Sequence, residues 1–340
     1  MPAPDRFRGG VVIPAHPLAL TEDGAVDLVA QRALTRYYVE AGAHGVAVGV
    51  HTTQFELHTD QGLFTEVLGL AAEAARGRLL VAGVCGDVAD AVREAEAAAA
   101  LGYEAALLCP WGVREPTDKA LLERARAVGE VLPTIGFYLQ ESVGGRRLDR
   151  LFWQDLFDIE TVVAVKSAPF DRYRHNDVVQ ALLEHDRWAD VAVLTGNDDA
   201  IVHDLVTPAR RTVGGQTREI HTEGGLLGQW AVGTAAAVAL VAQVRVARDA
   251  GAVPTGLLAE AADLVEINAA VFDVDHGFAG CVAGVNEVLR QQGLLRSARC
   301  LSPAERLSPG QRERIRDVRE RYPGGLDEEF VAEHRDRWLA

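Results

Sequence analysis

Short runs of apolar residues alternate along the chain with longer segments in which apolar positions recur at helical spacing. This alternation is typical of parallel strands joined by crossover helices. Asp27, Asp87 and Thr117 each precede one of the helical segments, as N-cap residues do. The pattern predicts eight strands, at residues 10–14, 45–49, 79–83, 105–108, 134–138, 162–166, 191–195 and 218–222.

The number of strand–helix units matches the length of a closed barrel, which is typically about 250 residues. We therefore predict an α/β fold, a (β/α)8 TIM barrel at residues 1–250, with a C-terminal helical extension at residues 251–340. Helical patterns at 257–271, 281–291 and 311–321 lie in that extension. The alternative is a doubly wound sheet, which normally carries a glycine-rich phosphate loop after its first strand. Residues 15–18, Ala-His-Pro-Leu, contain no glycine.

Composition narrows the class of partner. The 340 residues are 48% hydrophobic and 24% charged, which suits a buried core and excludes an intrinsically disordered chain. The chain has 34 basic and 49 acidic residues and a net charge of -15, so we expect it to bind neither nucleic acid nor an anionic membrane surface. The longest apolar run, residues 230–242, is too short to cross ~30 Å of hydrocarbon and predicts a buried helix.

The cysteines bear on the cellular compartment. They lie at positions 85, 109, 281 and 300 and form no CxxC pair, which is typical of free thiols in a reducing environment. Residues 1–10 contain aspartate and two arginines where a secretory signal needs an apolar stretch. We therefore expect a cytoplasmic protein, and we expect it to use no cofactor and no metal.

One lysine lies where barrel chemistry is expected. The chain has only two lysines, Lys119 and Lys166. Lys166 ends the sixth predicted strand, and active sites of these barrels lie at the carboxyl ends of the strands. Burial there would lower the pKa of the ammonium, and the neutral amine is a nucleophile suited to Schiff-base formation with a carbonyl. The alternative is a strand-end lysine paired with a carboxylate.

Two other strand ends carry groups that suit such chemistry. Tyr138 ends the fifth predicted strand, where a phenol can carry protons, or can simply be an interfacial aromatic with its hydroxyl in water. Thr52 and Thr53 follow the second predicted strand. Adjacent hydroxyls and backbone amides can hold a carboxylate without a positive charge, although the same residues could cap the next helix.

In this order, these residues resemble the dihydrodipicolinate synthase and N-acetylneuraminate lyase family of Schiff-base aldolases, from about residue 9 to about residue 307. The family's DG-x-[IV]-D element is found at residues 23–27, and its GTTGE loop corresponds to residues 51–55. Its proton-shuttling tyrosine corresponds to Tyr138 and its Schiff-base lysine to Lys166. Its [ST]-G-x-D turn corresponds to Thr195, Gly196, Asn197 and Asp198.

The resemblance implies an imine between Lys166 and the keto carbon of pyruvate or a related 2-oxo acid, through which a bond to an aldehyde forms or breaks. Thr53 and Gly196 would bind the substrate, and Tyr138 would move protons with Thr52 beside it. The resemblance also implies a homo-oligomer, either a tetramer or a dimer. Dehydration of a sugar-derived acid through the same imine is the alternative reaction.

The chain departs from the family at several positions. His51, Gln54 and Phe55 replace the first, fourth and fifth residues of GTTGE. Residues 109–112, Cys-Pro-Trp-Gly, lack the second tyrosine of lysine-biosynthetic members, and Val143 stands where those members place a substrate-binding arginine. These differences argue against dihydrodipicolinate synthesis itself. Residues 206–230 look enlarged, which predicts a remodelled rim near the eighth strand.

Other functions compete with the aldolase. A metal-dependent lyase or hydrolase would use residues near the predicted strand ends, although their spacing is no recognised ligand pattern: His16, His51, Glu56, His58 and His221. A phosphate site would use the glycine pairs at 214–215 and 224–225 with Arg210, Arg211 and Arg218. A barrel retained for binding without catalysis is a further alternative.

Overall fold

Parallel strands and helices alternate in the computed structural model, which describes residues 4–340. The strands are β1 (Val11–Pro14), β2 (Gly45–Val48), β3 (Leu79–Val84), β4 (Ala105–Leu108), β5 (Thr134–Leu139), β6 (Val162–Ala168), β7 (Ala192–Thr195), β8 (Ala209–Val213), β9 (Gln216–Ile220) and β10 (Thr222–Leu227). Eight of them form one sheet in the order β1, β10, β7, β6, β5, β4, β3, β2. A parallel bridge between Ala15 and Ala47 joins its two edges. The (β/α)8 barrel prediction is confirmed.

The helices surround this barrel and continue beyond it. They are α1 (Leu28–Glu40), α2 (Gln61–Ala74), α3 (Val88–Ala100), α4 (Asp118–Gly129), α5 (Arg150–Phe157), α6 (Arg172–Glu184), α7 (Ile201–Val206), α8 (Thr234–Asp249), α9 (Thr255–Val271), α10 (Cys281–Gln291), α11 (Gln311–Arg321) and α12 (Glu328–Leu339). Asp27, Asp87 and Thr117 are the N-caps of α1, α3 and α4, as the sequence predicts. Within residues 4–340, no helix is long and apolar enough to span a membrane.

Two apolar clusters hold the barrel together. Inward side chains fill its interior, among them Ile13, Val81, Leu107, Ile135 and Leu194. The outward side chains of the same strands form a second cluster with the surrounding helices. Because successive side chains of a strand point to opposite faces, every strand contributes to both clusters. A residue's position in this alternation therefore decides whether it can reach the barrel interior.

The eighth strand differs from the prediction. Residues 216–220 form β9, which pairs with β8 in an antiparallel hairpin, and β10 closes the barrel instead. The hairpin joins the end of α7 to the start of β10, so it lies at the amino ends of the barrel strands. Arg218 donates hydrogen bonds to the carbonyls of Leu183 and His185 at the end of α6. The enlarged region therefore remodels the face opposite the barrel mouth.

The C-terminal helices pack onto the barrel. On one side α12 packs against α1, and Tyr37 donates a hydrogen bond of 2.6 Å to Asp327. The same carboxylate accepts the backbone N–H groups of Ala235 and Ala236 at the start of α8. At the mouth, Asn268 of α9 donates to the carbonyl of Asp198, which follows β7. These contacts bring α9 over the carboxyl ends of the strands.

Candidate active site

Lys166 lies inside the barrel near the end of β6. The register of the sheet pairs it with Phe137 on β5 and Leu194 on β7. Its side chain is 7% exposed, and Nζ lies 4.5 Å from the centre of the Phe137 ring. Burial lowers the pKa of the ammonium to about 8, although the carboxylate of Asp198 partly opposes this shift. The neutral amine is therefore accessible near physiological pH.

Gly196 packs directly on the lysine. A Cβ atom at this position would lie 2.6 Å from Cε of Lys166 and 2.7 Å from Cβ of Ala168, both closer than carbon atoms can approach. The backbone N–H of Gly196 donates a hydrogen bond of 2.8 Å to the carbonyl of Ser167. The structure thus brings Gly196 and Lys166 together, and the missing side chain gives the lysine its space.

Asp198 is the carboxylate on the far side of the same turn. It is buried, and its Oδ1 accepts the backbone N–H of Gln229 at 3.0 Å. Burial raises the pKa of the carboxyl to about 7, while the ammonium of Lys166 pulls it down. The two groups therefore influence each other's charge. In the sequence, Asp198 appears only as the last residue of a turn that resembles the family's [ST]-G-x-D motif, and this resemblance was the available signal of a role.

The threonines follow β2 in a short 3-10 helix, residues His51–Thr53. Oγ1 of Thr52 donates to the carbonyl of Ala15 at 2.8 Å, and Oγ1 of Thr53 donates to that of His16 at 2.6 Å. Both hydroxyls are therefore held against the end of β1, at the barrel mouth. Binding a substrate carboxylate through either hydroxyl would require it to rotate away from its carbonyl, because each carries a single proton.

Tyr138 is not brought to the lysine. The sheet register pairs it with Ser167, on the outward face of β6. Its ring centre lies 5.4 Å from that of Trp153 in α5, and its Oη accepts the N–H of Leu148 at 3.4 Å. The position that faces Lys166 is Phe137, which has no ionisable group. Strand alternation places Tyr138 on the outward face of β5, while its hydroxyl also contacts Arg174 of the mouth cavity. Its role as proton carrier stays a prediction.

His51 lies at the barrel mouth, at the start of the loop that carries Thr52 and Thr53. It follows β2, is partly buried, and its ring centre lies 5.5 Å from that of Phe55. Phe55 belongs to the inner apolar cluster and stacks on Trp111, with ring centres 6.1 Å apart. Burial, and then the charge of Lys166, lower the pKa of the imidazole to about 4. The sequence pointed to His51 only as a possible metal ligand.

The candidate metal ligands are not gathered into one site. His58 bonds Glu94 at 2.9 Å and the carbonyl of Gly49 at 2.8 Å, whereas His16 bonds Thr35 at 2.8 Å. His221 bonds Glu219 in the β9 region at the other end of the barrel. Across residues 4–340, no three His, Cys, Asp or Glu side chains are grouped as metal ligands.

Most residues considered for a phosphate site form contacts or the turn of the β8–β9 hairpin. Arg210 pairs with Glu219, and Arg211 pairs with Glu184 and Gln180. Gly214 and Gly215 form the hairpin turn between β8 and β9, where both have positive φ. In barrels of this type phosphate binds at the carboxyl ends of the strands. These groups lie at the opposite end, so the phosphate interpretation does not fit the geometry.

A cavity of about 520 Å³ opens above the carboxyl ends of β5, β6 and β7. Phe170, Phe272 and Phe278 form its apolar part. Its charged lining consists of Glu141, Asp171, Arg174 and Asp199. Three carboxylates thus face one arginine. Because α9 supplies Asn268 and its C-cap residue is Phe272, the C-terminal extension forms one wall of this cavity.

Comparison with known proteins identifies relatives of the chain. A sequence model of the dihydrodipicolinate synthetase family matches residues 8–221. The 4-hydroxy-tetrahydrodipicolinate synthase of Alkalilimnicola ehrlichii is 29% identical over 224 residues, which cover 59% of this chain and 74% of that protein. The synthase of the same name from Anaeromyxobacter sp. is 35% identical over 127 residues. That alignment covers 37% of this chain and spans only 42% of the relative's length.

Solved structures share the fold over nearly the whole chain. YagE of E. coli K12, a prophage protein of the dihydrodipicolinic acid synthase family in complex with pyruvate, has a TM-score of 0.75 at 17% identity. The superposition covers 92% of this chain and 98% of that one. N-acetylneuraminate lyase from Fusobacterium nucleatum has a TM-score of 0.73 at 16% identity, with 93% and 99% covered. The C-terminal helices are therefore part of the shared fold.

Proposed function

Because the chain belongs to the dihydrodipicolinate synthetase family, we propose that it is a Schiff-base lyase that acts on a 2-oxo acid such as pyruvate. The desolvated amine of Lys166 is the observation that carries this proposal. Burial lowers its pKa to about 8, and Gly196 leaves the space in which it lies. An amine with these properties can attack a ketone at neutral pH, which an arginine cannot do.

The proposed condensation proceeds through an iminium and then an enamine. The neutral amine of Lys166 adds to the keto carbon, and a proton passes from nitrogen to oxygen to give a carbinolamine. The carbinolamine hydroxyl takes a second proton from solvent and leaves as water, which gives an iminium. Loss of a proton from C3 sends its electron pair into the C–N system and gives an enamine. The enamine carbon then attacks the aldehyde carbon, the new alkoxide takes a proton, and water releases the product. Cleavage is the reverse sequence.

The substrate carboxylate is proposed to bind beside the threonines. Thr53 and the backbone amides of its loop are the binding groups, and Thr52 lies next to the imine. Gly196 lines the opposite side, where its missing side chain lets substrate and lysine approach. This assignment uses no cationic side chain, which suits a carboxylate that already gains from the charge of the iminium.

The aldehyde is proposed to enter from the 520 Å³ cavity. Its three carboxylates outnumber the single Arg174, so an acceptor with its own carboxylate is disfavoured by like charge. Phe170, Phe272 and Phe278 instead offer apolar surface. We therefore propose an uncharged aldehyde with an apolar substituent. This proposal agrees with the absence of an arginine at Val143.

We propose that the protein is cytoplasmic and forms a homo-oligomer. The four cysteines are free and buried, which supports a reducing, cytoplasmic environment. Apolar side chains are exposed on α8 and α9, including Val246, Leu258 and Val265, which are 69%, 55% and 46% exposed. Such a surface supports a homo-oligomer, dimer or tetramer.

Borohydride trapping tests the proposed function. The protein is incubated with pyruvate and other 2-oxo acids, reduced, and analysed by intact mass and peptide mapping. We expect one adduct, on Lys166, and no adduct or turnover in Lys166→Ala. Lys119→Ala is the matched control, because it removes the other lysine, whose side chain is 85% exposed. An adduct on Lys119, or none with any 2-oxo acid, would contradict the proposal.

A further inference from the structure

The proposed reaction needs a proton carrier, and the expected one, Tyr138, lies on the outward face of β5, beside Ser167 rather than Lys166. Phe137, not a tyrosine, faces Lys166, with its ring 4.5 Å from Nζ. Tyr138 packs against Trp153 outside the barrel. A phenyl ring neither accepts nor gives a proton. The proton that leaves C3 of the iminium must therefore go to a group on another wall of the barrel mouth.

His51 lies on the wall of the barrel mouth that the loop after β2 forms. It begins the loop that carries Thr52 and Thr53, so its position is tied to the end of β1 through their hydrogen bonds to Ala15 and His16. Its ring packs beside Phe55, a member of the inner apolar cluster. Its imidazole also lies within reach of the charge of Lys166, which helps to lower its pKa.

The nitrogens of His51 are available. Among the residues that the structure describes, none forms a side-chain hydrogen bond to this ring. By contrast, both nitrogens of His16 and both of His58 have partners. At neutral pH the imidazole of His51 is uncharged, so one nitrogen can accept a proton and the other can donate one. Its pKa of about 4 makes it a weak base, but an iminium makes the C3 proton far more acidic than a ketone does.

We propose that His51 is the catalytic proton carrier of this barrel, in place of the family's tyrosine. The inference rests on the proposed Schiff-base function. In condensation, an imidazole nitrogen takes the C3 proton of the iminium, and the resulting imidazolium gives a proton to the alkoxide formed from the aldehyde. In cleavage, the imidazole takes the hydroxyl proton as the carbon–carbon bond breaks and returns a proton to C3 of the enamine.

Other ionisable groups at the mouth are less suited to this role. Asp198 already accepts the N–H of Gln229, and its charge raises the pKa of Lys166. His58 is held between Glu94 and the carbonyl of Gly49, a pairing that raises its pKa despite burial. The thiol of Cys109 lies on the inner face and also interacts with Lys166. Although burial opposes it, the hydrogen bond with Cys85 and nearby positive charges lower the pKa of Cys109, so this sulfur already has a hydrogen-bond partner.

Proton exchange separates this step from imine formation. The protein is placed in D2O with pyruvate, and loss of the methyl proton signal is followed by NMR, while borohydride trapping reports the imine. We expect His51→Gly and His51→Gln to form the Lys166 adduct at the wild-type level but to exchange methyl protons on the order of 10² to 10⁴ times more slowly. Added imidazole should restore part of the exchange in His51→Gly, where the removed ring leaves space.

Two further variants sharpen the comparison. Tyr138→Phe removes the phenol and should leave exchange within tenfold of wild type, and His203→Ala removes an exposed imidazole from α7 as the matched control. If the His51 variants trap pyruvate and exchange at the wild-type rate, the inference is overturned. If Tyr138→Phe alone loses exchange, the phenol is the carrier and the inference is likewise overturned. If wild-type protein forms no adduct, it is the proposed function that fails.

Discussion

Substitution of Gly196 by alanine tests whether the space beside Lys166 matters for reactivity. The added methyl carbon would lie 2.6 Å from Cε of the lysine and 2.7 Å from Cβ of Ala168. Carbon atoms pack at about 3.5–4.0 Å, so each contact is too short by roughly 1 Å. The lysine can swing away from this overlap, whereas Ala168 can move only with the β6 backbone.

The expected losses of stability and of rate in Gly196→Ala follow from this geometry. Gly196 has no positive φ, so the backbone itself tolerates alanine and the whole penalty comes from overpacking. Overpacking a well-filled interior typically costs about 1–3 kcal/mol, which a barrel of this size should survive. The effect on rate should be larger, because a misplacement of about 1 Å at the reacting atom can cost roughly 100-fold. We therefore expect a folded protein whose imine formation is slowed on the order of 100-fold.

The assay compares the rate of borohydride-trapped adduct formation with the thermal unfolding midpoint. Gly256→Ala is the matched control, because this glycine lies in α9 and a Cβ there meets no atom within 4 Å. It should trap pyruvate normally and gain about 0.5–1 kcal/mol of stability from helix propensity. If Gly196→Ala traps as fast as wild type, the packing of this turn does not position the lysine and the reasoning is refuted.

Two further predictions concern pH. Asp198→Asn removes the carboxylate that raises the pKa of Lys166, so this pKa should fall further below about 8. The rate of borohydride trapping should then begin to rise at a lower pH. An unchanged midpoint of the trapping rate against pH would contradict an influence of Asp198 on Lys166. His16 is buried, and burial lowers the pKa of its imidazole from 6.5 to about 4. Between these pH values the unfolded state binds more protons than the folded state. The free energy of unfolding should therefore fall by up to ~3 kcal/mol as the pH drops from 7 to 4. Denaturant unfolding should show this loss in wild type and a flatter profile in His16→Gln.

The barrel was largely predictable because its strands are uniform. Seven predicted strands overlap barrel strands, since buried parallel strands appear as continuous apolar runs. The eighth strand was misplaced because β10 reads Thr-Glu-Gly-Gly-Leu-Leu and so has only two large apolar residues, both at its end. Gly225 is small by necessity, since a Cβ there would lie 2.8 Å from the carbonyl oxygen of Thr195. The neighbouring β8–β9 hairpin, whose two strands form a separate sheet, has the stronger strand pattern in the sequence.

The site was harder to predict than the fold. Lys166 and Gly196 could be found because one is a rare residue at a strand end and the other lies in a short motif. Phe137 and Tyr138 could not be separated, because they are adjacent and a shift of one residue exchanges the two faces of a strand. The influence of Asp198 on Lys166 could not be recognised either, since the charge of Asp198 depends on its burial and on the charge of Lys166 in the folded chain.

The phenyl ring beside Lys166 and the uncharged imidazole at the mouth have a common physical consequence. A phenol beside Lys166 could hydrogen-bond its nitrogen, but the ring of Phe137 offers only its π face, so the desolvation of the ammonium is offset mainly by Asp198. This arrangement favours the neutral, nucleophilic amine. It also leaves the β5 wall without a proton carrier. A charged base beside the lysine would restore the ammonium, whereas the uncharged imidazole of His51 can accept a proton without doing so. The apolar surroundings that lower the pKa of Lys166 therefore also favour an uncharged base beside it.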